Sequence, residues 1–317
     1  MAESRRFGMA MAALCTVAAA TQPALMRFGA TRIDPMLFAA GCAVVATICV
    51  LPVVYARGEL GTLVGRRYRM RLLAISIIGT VVTTLTLVFG LRRIDAVAGT
   101  LLLQSEPIYS LLLATLFAGE RPTPRQLAAT AIIVGGIASA VGASGGAYSP
   151  AWAAMLVGMT PFFWQASHVL SLPAMPPLSP LCMTAGRYGY ASIVLTAALL
   201  LANPHALVQL REPVAIGVIA ATGIVCYFLA SLAWYAAISR LSLAWTTALV
   251  IPGIPLLSIL CAIFFLGEHA TRRDIIGIGV AVSGVLLLVL GAEGARHKAA
   301  TPAEIAEAAE AIHQPMN

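Results

Sequence analysis

Long runs of this chain carry no Asp, Glu, Lys or Arg, among them Phe7 to Met26, Pro35 to Ala56, Leu72 to Leu91, Leu241 to Gly267 and Ile275 to Ala292. Each is close to or above the roughly 20 residues a helix needs to cross a ~30 Å hydrocarbon core. Hydrocarbon offers no partners for backbone N–H and C=O groups, so only helices or closed barrels can span it. The alternating strands of ~10 residues that mark a barrel are absent. Composition agrees: 10% of the residues are charged, against roughly 25% in an ordinary soluble domain. The sequence predicts an all-α integral membrane protein.

Charges, prolines and glycines divide the apolar sequence into spans near 7–28, 35–56, 71–91, 96–118, 124–144, 151–171, 178–202, 213–238, 243–267 and 272–292. That is ten transmembrane helices, with Gly145-Gly146-Ala147-Tyr148-Ser149-Pro150 between the fifth and sixth. Arg5-Arg6 before an apolar stretch imitates a secretory leader. The stretch is longer than a leader's apolar core and Pro23 sits badly for cleavage, so it is read as the first span.

The two halves repeat one another. From Pro107 the chain reads Pro-Ile-Tyr-Ser-Leu-Leu-Leu-Ala-Thr-Leu-Phe-Ala-Gly-Glu-Arg-Pro-Thr-Pro-Arg, and from Pro255 Pro-Leu-Leu-Ser-Ile-Leu-Cys-Ala-Ile-Phe-Phe-Leu-Gly-Glu-His-Ala-Thr-Arg-Arg. Proline, Gly-Glu, Thr and the final Arg align at an offset of 148 residues, the separation of Glu120 and Glu268, and Gly135-Gly136 aligns with Ser283-Gly284. The expected units are residues 1–146 and 147–293, followed by a cytoplasmic tail, 294–317, in which Glu304, Glu307 and Glu310 suit a short solvated helix. Because five spans is an odd number, the second copy enters the membrane from the opposite face, giving two inverted five-helix repeats.

The net charge of +7 does not point to nucleic acid, because the Arg residues stand singly or in pairs at span ends, where they set topology. With the N-terminus inside, 12 Lys and Arg fall on the cytoplasmic side and 7 outside. Both termini are therefore placed in the cytoplasm of a cell with an inner membrane. Cys15, Cys42, Cys49, Cys182, Cys226 and Cys261 lie in apolar runs without metal-like spacing and read as small hydrophobes. No phosphate loop, zinc motif, nucleophile elbow or H-E-x-x-H site occurs, which disfavours an enzyme or ATP-driven pump and implies no cofactor.

Polar groups in hydrocarbon mark the places to look for function. Glu106, within Gln104-Ser105-Glu106-Pro107, falls mid-span in the fourth helix and Arg187 near the middle of the seventh. On insertion scales each charge costs roughly 2.5–3.5 kcal/mol at the bilayer centre. Either both line a hydrated substrate or proton site, or they form a buried ion pair between the halves. Opposite Gln104 to Pro107 in the repeat stands Ile251-Pro252-Gly253-Ile254-Pro255. Prolines there free carbonyls that a membrane tolerates only beside protein or water, and interruptions at matching depths are the best sequence pointer to a transporter's central site.

Gln22, Trp164, Gln165, His168, Tyr188, Tyr227 and Trp234 are further candidates, while Trp152 and Trp245 read as interfacial anchors. Glu120 and Glu268, at helix ends, are expected to hydrogen-bond backbone amides at the start of the next helix. The small-residue faces around Gly135-Gly136 and Gly277-Gly279 would suit a homodimer or packing within one chain.

With Glu106-Pro107 through Gly119-Glu120-Arg121-Pro122-Thr123, Pro255 through Gly267-Glu268-His269-Ala270-Thr271, Trp164 and Arg187 in view, the chain resembles the EamA-type proteins of the drug/metabolite transporter superfamily from about Phe7 to Ala292. It departs in lacking a Trp on the first helix and in having Gly41-Cys42 where a second-helix Arg is common. The resemblance implies a ten-helix basket with a central cavity, alternating access, and movement of small metabolites such as amino acids, commonly outward and ion-driven. Taken with the residues, it makes the expected function a secondary exporter of the inner membrane. Its site is Glu106, Arg187, Gln104, Trp164, Gln165, Pro252, Gly253 and Tyr188, its partners are a small-molecule substrate, lipid and a coupling proton, and a lipid flippase or a non-transporting scaffold are the rivals.

Overall fold

The computed structural model describes residues 2–118, 123–141, 150–171, 178–241, 246 and 249–299. Glu120, Arg121, Trp245, residues 145–149 and the acidic tail lie outside the described residues. Among those described, regular structure is helical throughout: α1 (Ala2–Ala20), α2 (Gln22–Arg32), α3 (Pro35–Ala56), α4 (Leu60–Val64), α5 (Arg66–Ser76), α6 (Thr83–Leu91), α7 (Ala96–Leu103), α8 (Glu106–Ala118), α9 (Pro124–Val141), α10 (Ala151–Ser171), α11 (Pro180–Ala202), α12 (Pro213–Ala221), α13 (Ala230–Ile238), α14 (Gly253–Leu266) and α15 (Arg272–Ala299). Six of the helical runs are long and apolar enough to cross a membrane: Arg5–Arg32, Pro35–Ala56, Arg66–Leu91, Ala96–Leu113, Pro180–Ala202 and Pro213–Ile238.

Boundaries fall where polar side chains can satisfy end groups that lack intrahelical partners. Asp34 accepts from the Met36 and Leu37 amides ahead of α3, whose first residue, Pro35, has no N–H to satisfy. Ser179 does the same for Cys182 at the start of α11. The third span begins at Arg66 rather than near residue 71, and the last helix runs on to Ala299. The expectation stopped at the charges, whereas Arg at a span end continues the helix and carries its head into water.

The two Thr residues that align in the repeat open equivalent helices. Thr123 N–H and Oγ1 donate to Gln126 Oε1 ahead of α9, and Thr271 N–H and Oγ1 donate to Asp274 Oδ2 ahead of α15. These are reciprocal capping boxes, and they leave Glu268 free for another partner. Its carboxylate accepts from the Ala96 and Val97 amides at 2.9–3.1 Å, tying the start of α7 to the second half. It therefore caps a helix of the other half and not the one that follows it, because Asp274 already serves α15.

Both halves also depart from α-helical geometry at matching places. The run Arg66–Leu91 contains a π-helical stretch at Ile77–Val82, and the run Pro213–Ile238 contains one at Thr222–Leu229. A turn at Gln104–Ser105 separates α7 from α8, and a turn at Ile251–Pro252 precedes α14. Turns are thus present near both Pro107 and Pro252, within one residue of the 148-residue offset.

The most extensive helix contacts are α9 with α15, α3 with α11, α1 with α13, and α6 with α10. Each joins a helix of residues 1–146 to one of residues 147–293. At the first, a Cβ added to Gly136 would lie 2.6 Å from the Ala281 nitrogen and the Gly277 oxygen, and one added to Gly284 would lie 2.9 Å from the Ala129 oxygen and 3.0 Å from the Ile133 nitrogen. All four partners obey the 148-residue offset, so the contact is reciprocal in the manner of a two-fold interface. Gly136 and Gly277 are consumed by packing within the chain, whereas a Cβ at Gly135 or Gly279 would meet nothing within 4 Å.

Candidate functional site

The two interruptions border a central cavity of about 160 Å³, with Cys226 of the second π-helical stretch also on its wall. Gln22 of α2, Gln104 and Glu106 at the α7–α8 turn, Trp164 and His168 of α10, Arg187 and Tyr188 of α11, Ser231, Trp234 and Tyr235 of α13, and Val250, Ile251 and Ile254 around the second interruption line it. A smaller space of about 30 Å³, large enough for about one water, adjoins it and shares Gln22, Trp164, Arg187 and Tyr188. Pro252 and Gly253 are not on the cavity wall. Gly253 faces α1, where an added Cβ would lie 2.7 Å from the Thr16 methyl, so the break contributes through its apolar neighbours.

Arg187 is 6% exposed and is held without a carboxylate. Its Nε donates to Thr80 Oγ1 at 3.0 Å, Nη2 donates to the Gly79 carbonyl, and Nη1 approaches the Tyr235 hydroxyl at 3.4 Å. The π-helical stretch presents these partners, since widening the turn lets the Gly79 carbonyl reach sideways; Thr83 Oγ1 also donates to it. A guanidinium has five N–H donors, so two remain for a ligand on the cavity side.

Glu106 opens α8, where the positive end of the helix favours a carboxylate, and Gln165 Nε2 donates to its Oε1 at 2.7 Å. No ion pair joins Glu106 to Arg187 among the described residues, so the two charges occupy one cavity without neutralising each other, and the buried-pair alternative does not describe this conformation. Gln104, 5% exposed, donates weakly to the Thr100 carbonyl at 3.4 Å, while its Oε1 is buried with no partner. Leaving such an acceptor unmade costs about 1–3 kcal/mol. That is an arrangement to expect where a ligand supplies the donor.

Aromatic rings complete the wall. Tyr188 stacks on Tyr227 at 5.2 Å and its hydroxyl shares a 2.7 Å hydrogen bond with Ser231. His168 stacks on Trp234 at 5.4 Å. Among the described residues no group of three His, Cys, Asp or Glu is placed to hold a metal ion. Thr21 Oγ1 lies 3.5 Å from the Cys226 thiol, between this cavity, which Cys226 lines, and a separate cleft, which Thr21 lines and with which the cavity shares no lining residue.

Sequence reasoning did not find Gly79, Thr80, Ser231 or Tyr235. Nothing in an apolar run marks which turn will be π-helical, and Tyr235 stands out only as the neighbour of Trp234.

Comparison with known proteins bears on the same residues. The EamA-like transporter family matches residues 6–142 and again 151–290. A protein of Streptantibioticus cattleyicolor described as a probable terminal-alkyne amino-acid exporter is 27% identical over 222 residues, which cover 68% of this chain and 71% of that one. One solved crystal structure superposes with a TM-score of 0.66 at 16% identity, covering 92% of this chain and 98% of its own, a likeness of fold.

Proposed function

The chain belongs to the EamA-like transporter family, and from that premise we propose that it exports a small zwitterionic metabolite, an amino acid with an apolar side chain, across the inner membrane by alternating access. The observation that carries this reading is that Gln104, Glu106 and Arg187 line one cavity, Gln104 Oε1 being buried without a partner in this conformation. Arg187 grips the carboxylate through its planar fork, and Gln104 Oε1 and Glu106 take the ammonium. Leu103, Val250, Ile251 and Ile254 face the side chain. At about 160 Å³ the cavity is smaller than the roughly 300–1,000 Å³ of a drug-sized site, which suits one small metabolite.

The proposed architecture is ten spans in two inverted five-helix repeats with both termini cytoplasmic. The reciprocal packing of Gly136 on Gly277 and Ala281, and of Gly284 on Ala129 and Ile133, supports it, as do the matched capping boxes. The proposed coupling ion is a proton carried by Glu106. A carboxylate in low dielectric is costly without a partner, so proton and ammonium compete for it, and competition at one group makes an exchanger. A lipid flippase would need this site open to hydrocarbon; that the site and the outer cleft share no lining residue supports the reading of a small-metabolite carrier instead.

Proteoliposome efflux of radiolabelled amino acids against an imposed pH gradient tests the reading. Wild-type protein exchanges apolar amino acids and ignores their deaminated analogues, and Glu106→Gln loses the response to the gradient. Equal handling of the deaminated analogues would remove the ammonium from the reading.

A further inference from the structure

A second cleft, of about 370 Å³, lies between α2, the run Pro213–Ile238 and α14. Leu25, Phe28, Gly217, Val218, Cys261 and Phe265 are among its walls. Its one hydroxyl, Thr21 Oγ1, already donates to the Ala18 carbonyl at 2.8 Å. Phe265 is 76% exposed on the bundle surface, and the cleft shares no lining residue with the central cavity, so it faces outward.

We propose that this cleft holds one acyl chain of a membrane phospholipid whose headgroup phosphate sits on Arg32. Apolar walls without free polar groups cannot retain water, and an empty groove forfeits dispersion contacts along its whole lining. In a bilayer the filler at hand is a lipid tail. The headgroup contact follows from the rim. Arg32 closes α2 one turn beyond Phe28, is exposed, and its guanidinium lies 3.6 Å over the Phe28 ring. That stacking holds the fork at the mouth of the cleft, where it can meet a phosphate with paired hydrogen bonds. A free anion would need no apolar groove, and a fatty tail alone would need no cation, so the two features together select a phospholipid.

Native mass spectrometry of the full-length protein, purified in mild detergent, reads the number of phospholipids retained. Wild type is expected to keep one. Gly217→Phe fills the cleft from a position where an added Cβ meets nothing within 4 Å, and lowers retention about tenfold or more, the loss of a few methylene contacts being enough. Val218→Phe, from a neighbouring wall position, gives the same result should the first variant not fold, and Gly217→Ala leaves retention unchanged. Arg32→Gln lowers retention of phosphatidylglycerol by about tenfold, as loss of a charge-assisted pair implies, but not that of added diacylglycerol. A wild-type protein without lipid, or equal retention by the cleft-filling variants, overturns the proposal. Lipid retention unaltered while those variants lose transport also overturns it and gives the cleft to the substrate's tail.

Discussion

Gln165 on α10 donates a 2.7 Å hydrogen bond to Glu106 at the head of α8, joining the two halves at the wall of the central cavity. The bond uses one carboxylate oxygen and leaves the other to face a ligand or carry a proton. Gln165→Leu removes the donor and leaves the carboxylate unsupported. A hydrogen bond to a charged group is worth about 1.5–3 kcal/mol, so substrate counterflow in proteoliposomes should fall by roughly tenfold or more, with Gln165→Glu no better. Wild-type rates in both variants would show that the bond does not bear on transport.

Arg187→Lys keeps the charge and loses the fork. An ammonium cannot reach the Gly79 carbonyl, Thr80 Oγ1 and a ligand carboxylate together, so KM for carboxylate substrates should rise by about thirtyfold or more, the lower end of the ~2–5 kcal/mol expected for truncating a buried charged contact. An unchanged KM, measured by concentration-dependent efflux, would place the substrate elsewhere.

Gly136→Val puts side-chain atoms where α15 backbone already lies, at 2.6 Å. Overpacking of this kind costs about 1–3 kcal/mol or more, so the detergent-solubilised variant should melt several degrees below wild type, whereas Gly135→Ala, which points into open space, should not. Equal melting temperatures would mean that α9 and α15 are held apart in the membrane.

Glu268 lies between α14 and α15, and burial raises its carboxyl above the ordinary range even though the Ala96 and Val97 amides oppose the shift. A folded-state value raised above the unfolded one stabilises the fold at low pH and loses that contribution as pH rises through the raised value. Glu268→Gln, a neutral acceptor, should therefore gain stability relative to wild type as pH climbs above the ordinary carboxylate range. Glu268→Ala leaves both amides unpaired at a cost of about 1–3 kcal/mol. A difference between wild type and Glu268→Gln that does not vary with pH would remove the burial argument.

What could be read from the sequence was whatever a helix announces locally. Pro35, Pro180 and Pro213 sit at helix starts because proline belongs there, and Glu106 and Arg187 stood out because hydrocarbon makes charge conspicuous. The aligned Thr123 and Thr271 were visible as letters, but their capping role depends on the residues three positions on, Gln126 and Asp274. What stayed hidden depends on contact between distant segments. That Glu268 reaches Ala96, and that Gly79 offers its carbonyl to Arg187 from a π-helical stretch, are tertiary facts with no periodicity to betray them. The orphaned Gln104 acceptor is likewise defined only by its surroundings.

The close approach of Gly136 to the α15 backbone and of Gly284 to the α9 backbone bears on the proposed alternating access. Backbones already in contact have no slack to part there, so in that cycle any tilting of one half against the other would pivot on this line. A fixed pivot would make the proposed cycle a seesaw, in which widening the mouth on one face narrows the other.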